Sequence, residues 1–365
     1  MNKKEFQEPY RFIDVISQAP PDQQWMYRAT LPVCQYYIRL RYSLLQLMYD
    51  QMFDNLLTGL PIARSLVISN EDDGSLVTEN EDFLDNTYTV GDDVLVAPVL
   101  EPQLAQGRPD NETRMIYLPI PDSWWQFNLR ADGPDAAVAL GGRFDGGTLM
   151  PYDARMSDNV SQIPYMNPMF IRYGAIIPQT DPQLYAEDWA RPKPITIHVY
   201  PGRIGFNKSY DMYLDDGVSR ESAPTADNLQ KHFAENESFN SGEESKVIKS
   251  PLKPDEFGDS QAGNKTAAGS GDQVKRDIYA ETLDYNAKFD PTKQHGSVYR
   301  LFIWGPPDRK NEFRSATVNI FTLQDPGNPV EKQVSKNYND GKNAWIVELN
   351  IDEVQQVKHQ IHLEY

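Results

Sequence analysis

The chain has a single cysteine, Cys34. One cysteine cannot close an intrachain disulfide or supply a thiolate zinc site, so the fold must rest on its core. No run of about 20 apolar residues occurs, so the sequence holds no helical membrane span. The opening MNKKEFQEPYRFID is basic but no apolar run follows it, so it does not read as a secretory signal. The compartment stays open, with the intracellular side preferred. Positive charge is in deficit: Lys and Arg total 35 against 53 Asp and Glu, a net charge of −18. That deficit argues against a large basic nucleic-acid footprint and against adhesion to an anionic membrane.

What the chain does have is length and turn chemistry. Its 365 residues suggest two or three domains at roughly 100–200 residues each. Aromatics make up 11%, with 27 prolines and 22 glycines. Many short strands joined by turns use residues this way; a helical bundle does not.

Residues 1–29 show no clear period. After them Val33, Tyr36, Tyr37, Leu40, Leu44, Leu47, Met48 and Met52 recur at spacings of three and four. That is one apolar stripe, and it predicts a helix from Thr30 to about Leu57, with Pro32 in its first turn and a stop at Gly59 and Pro61. From Leu60 the period changes to two or to short apolar runs. Strands are expected near Ile62–Ile68, Val94–Leu100, Met115–Leu118, Trp124–Asn128, Thr148–Tyr152, Met169–Pro178, Ile195–Tyr200 and Tyr210–Leu214. Met169–Ile177 should be buried on both faces, whereas alternation predicts one buried face for Ile195–Tyr200.

Ala223–Gly271 is polar and sparse in apolar residues, which predicts a mobile insertion. Strands resume near Tyr279–Phe289, Tyr299–Trp304, Ala316–Leu323, Trp345–Ile351 and Val357–Tyr365. The fold class expected is therefore mainly β.

The candidate chemical groups all have a structural reading that explains them better. Asp215-Asp216-Gly217 and Gly91-Asp92-Asp93 offer adjacent carboxylates, but neighbouring strand residues point to opposite faces and Asp-Gly is hairpin chemistry. Of His198, His232, His295, His359 and His362, none forms H-E-x-x-H. His359 and His362 lie three apart on an expected strand, so they cannot chelate one ion there. No metal and no cofactor is expected. Gly141–Gly147 lacks the G-K-[ST] ending of a phosphate loop and reads as a surface turn. In Trp124-Trp125 one ring should point inward and one outward, and the outward one is a candidate sugar platform. Cys34 sits beside the apolar stripe and reads as a buried, inert thiol.

A family resemblance runs through the same residues. Gln7–Phe12, Tyr37–Leu45, Thr58–Arg64, Val90–Leu100, Met115–Pro119, Ile171–Pro178 and Tyr213–Gly217 follow in order. The series resembles glycoside hydrolase family 31, the α-glucosidase family. Within it, Leu44–Asp50 with Met52–Asn55, Phe83–Asn86, Tyr200–Gly202 and Asp215–Arg220 are similar to α-1,4-glucan lyase. The lyase resemblance continues through Tyr285–Trp304.

The resemblance implies the last helix of an incomplete (β/α)8 barrel, then a proximal β-sandwich and a distal β domain. It implies these bounds: residues 1–59 as the end of the catalytic barrel, 60–220 as the proximal sandwich, 221–276 as an acidic and polar insertion, and 277–365 as the distal domain. It places the family's nucleophile and acid/base aspartates upstream of every matched motif, so no catalytic residue is assigned. An α-glucan substrate would be met through the barrel, with no nucleic acid and no membrane as partner. The parent enzyme would release 1,5-anhydrofructose as a lyase, or glucose as a retaining α-glucosidase. A stand-alone carbohydrate-binding β module is the reading from another class, and a helix fully packed on its own sheets would favour it.

Overall fold

Gly59 ends the long helical segment of the chain. It adopts φ 79° and caps the last turn by donating its N–H to the Asn55 carbonyl, a backbone setting that favours glycine. The computed structural model describes residues 24–98, 114–152, 167–182, 194–202, 207–213, 245–251, 275–282, 298–307, 315–322, 325–331, 335–350 and 358–364.

The expected single helix is two. Helix α1 spans Gln24–Ser43 and α2 spans Leu45–Thr58. The first starts six residues before Thr30, so Pro32 lies inside it and not in its first turn. The break falls at Leu44, where φ is −103° and ψ is 16°. A tertiary contact explains it. The Ser43 carbonyl accepts the Thr180 N–H at 2.8 Å, and the Ser43 hydroxyl donates to the Leu40 carbonyl at 2.8 Å. Tyr36, Leu40, Leu44 and Leu47 enter the main core. The stripe therefore has a partner within this chain. Val33, Tyr37 and Met48 are half-buried and Met52 is exposed.

Among the described residues the rest is mainly β, in three larger sheets and one pair of strands. The first sheet runs Ala63–Ser65, Tyr88–Val90, Val94–Val96, Met169–Arg172, Trp124–Gln126 and Arg143–Phe144. The second runs Lys336–Asn339, Ala344–Asn350, Val298–Trp304, Thr196–Val199 and Ile176–Gln179. The third runs Asn207–Tyr213, Ser245–Pro251, Lys275–Thr282, Lys358–Glu364, Ser315–Thr322 and Asp325–Glu331. Arg114–Leu118 pairs with Thr148–Tyr152. Among the described strands, Thr196–Val199 against Val298–Trp304 is parallel, and the other pairings are antiparallel.

Several expectations need correction. The apolar run Met169–Pro178 is split by a turn at Tyr173-Gly174. Its first half joins the first sheet and its second half the second sheet. Ile62–Ile68 forms a strand only over Ala63–Ser65 and then a helical turn, Leu66–Ser69. Thr196–Val199 is buried on both faces, not one. Its polar side, His198 with Tyr200, packs on Phe302 and Trp304, with ring centroids 5.3–6.2 Å apart. Ser245–Pro251 is a strand within the stretch expected to be mobile; the remainder of 223–271 lies outside the described residues. Its Lys-Val-Ile-Lys core is too polar to signal a strand by composition. It nonetheless pairs on both sides, with Asn207–Tyr213 and Lys275–Thr282.

Strand pairing also crosses residue 220. Asn207–Tyr213 edges the third sheet, and Val298–Trp304 enters the second beside Thr196–Val199. One core accordingly runs from Tyr36 to Leu363. A second, smaller core holds Leu66, Leu76, Leu95, Ile116, Leu118, Trp124 and Phe170 on the other side of the first sheet.

Candidate functional site

Trp124 and Trp125 sit next to each other on a strand, so they face opposite sides of the first sheet. Both sides are covered. Trp124 is fully buried in the smaller core and donates its indole N–H to the Pro119 carbonyl at 2.9 Å. Trp125 is 2% exposed in the main core and donates to the Pro201 carbonyl at 3.1 Å. Neither is an outward sugar platform. The expectation fails because this sheet has a core on each face.

Cys34 is exposed, not buried. It lies on the side of α1 away from Tyr36 and Leu40. Asp92 and Asp93 occupy the turn between Tyr88–Val90 and Val94–Val96. Asp92 pairs with Arg64 at 2.5 Å, and the Asp93 carbonyl accepts the Arg172 N–H at 2.8 Å. The pair is therefore a turn, as its sequence reads, and the structure adds its contacts with Arg64 and Arg172. Gly141–Gly147 includes the strand Arg143–Phe144, which pairs with Trp124 and Trp125. At Gly146 a side chain would strike the carbonyls of Asp122 and Pro119, so the glycine serves close backbone approach. His359 and His362 lie on the strand Lys358–Glu364. Asp215, Asp216, Gly217, His232 and His295 lie outside the described residues. Among the described residues, no three His, Cys, Asp or Glu side chains converge on a metal-sized site.

His198 is fully buried and hydrogen-bonded. Its Nε2 pairs with Gln179 Oε1 at 3.0 Å, and the Trp304 indole N–H donates to its Nδ1 at 3.3 Å. An accepting Nδ1 fixes the neutral tautomer with the proton on Nε2. Burial, with Arg300 and Lys342 nearby, lowers its pKa to about 3. Gln179 passes the chain on, donating to Ser43 Oγ at 3.1 Å and the Arg130 carbonyl at 3.0 Å. The network ties the second sheet to the helix break.

A second junction lies on α2. Asp50 is 1% exposed and accepts from Tyr210 Oη at 2.6 Å, Tyr213 N–H at 2.8 Å and Gln46 Nε2 at 2.8 Å. Burial pushes its carboxyl well above the usual carboxylate range, and these three donors oppose that rise. Asp54, one turn on, is also raised by burial, with Arg64 opposing the rise and Asp211 adding to it. The two carboxylates are not a glycosidase pair, because the closed cage around Asp50 keeps any substrate oxygen from reaching it.

Arg172 makes the third junction. It is 5% exposed and donates to the Asp92 carbonyl at 2.7 Å, Asn70 Oδ1 at 2.8 Å and Asp122 Oδ2 at 3.0 Å. Its guanidinium lies 4.6 Å from the Trp124 ring centroid. The sequence reading assigned none of these roles to Asp50, Arg64 or Arg172. A signal existed for Asp50: with Gln46 at the i, i+4 spacing, it places two polar groups on the buried side of an otherwise apolar helix face.

Residues 59–177 match the model of the Glycosyl hydrolase family 31 C-terminal domain. Every strand of the first sheet lies in that range. Both this match and the similar proteins support that domain family. Over 203 residues the chain is 29% identical to an alpha-xylosidase of Saccharolobus solfataricus, covering 55% of this chain and 23% of that protein. Over 184 residues it is 28% identical to an alpha-glucosidase of Schizosaccharomyces pombe, covering 50% of this chain and 16% of that one. The chain thus spans a quarter or less of these relatives. Among solved structures it resembles the Flavobacterium johnsoniae GH31 dextranase, with a TM-score of 0.56 and 20% identity over 90% of this chain and 32% of that one. That likeness speaks for the fold. The motifs that carry the family resemblance, Arg64, Gly91-Asp92 and Arg172 among them, serve here as structural joints.

Proposed function

We propose that this chain is the C-terminal part of a family 31 enzyme acting on α-linked glucans, with residues up to Gly59 closing the catalytic barrel and the β sheets buttressing it. One observation carries the reading: the matched domain begins directly after a two-helix segment whose outer side stays uncovered. Leu31 is 49% exposed, Ile38 57%, Met52 37% and Leu56 42%. Leu31 and Ile38 lie seven apart on α1, and Met52 and Leu56 four apart on α2, so each helix has an exposed apolar side. An exposed apolar row of this kind marks a contact surface. The inner row packs on the chain's own sheets, which is what a stand-alone module would also show, but the outer row has no such explanation.

The finer reading is α-1,4-glucan lyase, supported by Leu44–Asp50, Met52–Asn55, Phe83–Asn86 and Tyr200–Gly202. An α-glucosidase is the second reading, supported by the likeness to the fission-yeast alpha-glucosidase. The two differ in the fate of the glycosyl-enzyme: elimination across C1 and C2, or attack by water.

The test is a product assay on maltose and starch, with protein isolated from its source at its native length. Release of 1,5-anhydrofructose supports the lyase and release of glucose the hydrolase. The pure 365-residue chain is expected to turn over neither substrate. Turnover by that chain alone, free of contaminating enzyme, would overturn the reading.

A further inference from the structure

A cleft of about 220 Å³ opens between α1 and the first sheet. Tyr37 of α1 lines it, with Gln126, Arg130, Val138, Tyr152 and Asn167 from the β side. Tyr37 is held in place there: the Asn167 N–H donates to its hydroxyl at 2.5 Å, and its ring meets the buried Tyr36 ring edge-on at 5.3 Å and 86°. Burial pushes the Tyr37 phenol up to about 12, so it keeps its proton at any physiological pH. Gln126 and Val138 are exposed on the rim, and Arg130 and Tyr152 are half-buried.

The lining decides the ligand class. Among the described residues no carboxylate lines the cleft, and so none there offers the hard oxygen ligands that a divalent cation needs. It also lacks a general acid or base for glycoside chemistry. Arg130 is the one cationic residue of the lining among the described residues. A single cation on a chain of net charge −18 is a poor anion trap, since the wider field repels the ligand. What remains is aromatic surface beside amide, guanidinium and phenol hydrogen-bonding groups. That combination suits a neutral molecule with an apolar face and a hydroxylated edge. The volume is below the roughly 300–1,000 Å³ of pockets that enclose drug-sized ligands, so it takes one ring and leaves the rest of a chain in solvent.

We propose that this cleft binds one neutral pyranose ring of a glycan, with Tyr37 and Tyr152 supplying aromatic surface and Gln126 and Arg130 hydrogen bonds to ring hydroxyls. The site is independent of the enzyme reading above. A chain with no part in catalysis would bind the same ring, and a working enzyme would not need it.

Calorimetric titration of the full 365-residue chain with maltotriose, isomaltotriose and inorganic phosphate tests the proposal. At least one of the trisaccharides binds with a Kd in the millimolar range, and phosphate does not bind. Tyr152→Ala weakens the sugar about fivefold or more, in keeping with the worth of one aromatic contact. Val138→Trp, which fills the mouth from an exposed position, abolishes binding without moving Tm. Three results would overturn the proposal: no binding of either trisaccharide, phosphate binding in their place, or sugar affinity unchanged in Val138→Trp. Activity assays do not enter, so loss of the enzyme reading leaves this result standing.

Discussion

Tyr210 donates a 2.6 Å hydrogen bond to Asp50, and the two are 160 positions apart in sequence. The bond fastens α2 to the edge of the third sheet. Both groups are buried, so each satisfies what would otherwise be an unpaired polar atom in the core. Removing one partner costs the desolvation of the other, about 1–3 kcal/mol. Tyr210→Phe should therefore lower stability by about that amount in urea unfolding. Combined with Asp50→Asn, the losses should not add, because both touch the same bond. Additive losses would mean that the pair is not coupled.

The His198 network gives the fold an acid limit. Its folded pKa of about 3 lies below the ordinary 6.5. The unfolded chain therefore binds a proton first as pH falls. The stabilising contribution is full above pH 6.5 and drains away as pH falls toward 3. At pH 5 the loss amounts to about 2 kcal/mol from this group alone. Unfolding free energy measured between pH 8 and 5 should show that decline. His198→Asn should be less stable at pH 8 but should show a flatter profile. An unchanged slope in the variant would assign the acid limit to other groups.

Arg172 joins the Asp92 carbonyl, Asn70 and Asp122 through one guanidinium. Arg172→Ala removes a buried guanidinium and takes its donor from buried Asn70, which should cost about 3 kcal/mol. Arg172→Lys should recover little, because an ammonium cannot span three acceptors and stack on Trp124 at once. Thermal melts of the two variants check this, and a lysine variant with native Tm would refute the geometric argument.

The outer row of the helices predicts the opposite behaviour. Ile38 and Met52 contribute little to this chain's own fold, so Ile38→Lys with Met52→Lys should shift stability by no more than about 0.5 kcal/mol per site. Light scattering should show less self-association. A large fall in Tm would mean that the row is buried in the chain as it exists in solution.

These contrasts show where the sequence was readable. The stop at Gly59 followed from local chemistry, and the strand Thr148–Tyr152 from its pattern. The turn reading of Gly91-Asp92-Asp93 likewise needed only neighbours in sequence. The break at Leu44 did not: it depends on Thr180, 137 positions from Ser43. The outward ring expected of Trp124-Trp125 is absent because period-two alternation tells which residues share a face, not whether a second layer covers it. The strand Ser245–Pro251 is polar enough to read as coil, and its order comes from two neighbouring strands. Of the candidate chemistry, His198 is a hydrogen-bonded strand histidine as expected, the glycine run read as a surface turn also holds the strand Arg143–Phe144, and the buried reading of Cys34 failed. The cleft beside Tyr37 was invisible, since its lining comes from five separate stretches of chain.

The parallel pairing of Thr196–Val199 with Val298–Trp304 has a consequence for biogenesis. During synthesis Thr196–Val199 emerges about a hundred residues before the strand it lies beside. At roughly 5–20 residues per second, that neighbour arrives several seconds late. Until then Ile197, Val199 and the aromatic side of the strand present an unpaired edge next to an unfinished core, a hazard for association between nascent chains. A chaperone-bound interval at that length, ending once Trp304 and the strand Ala344–Asn350 clear the ribosome, is the expected signature.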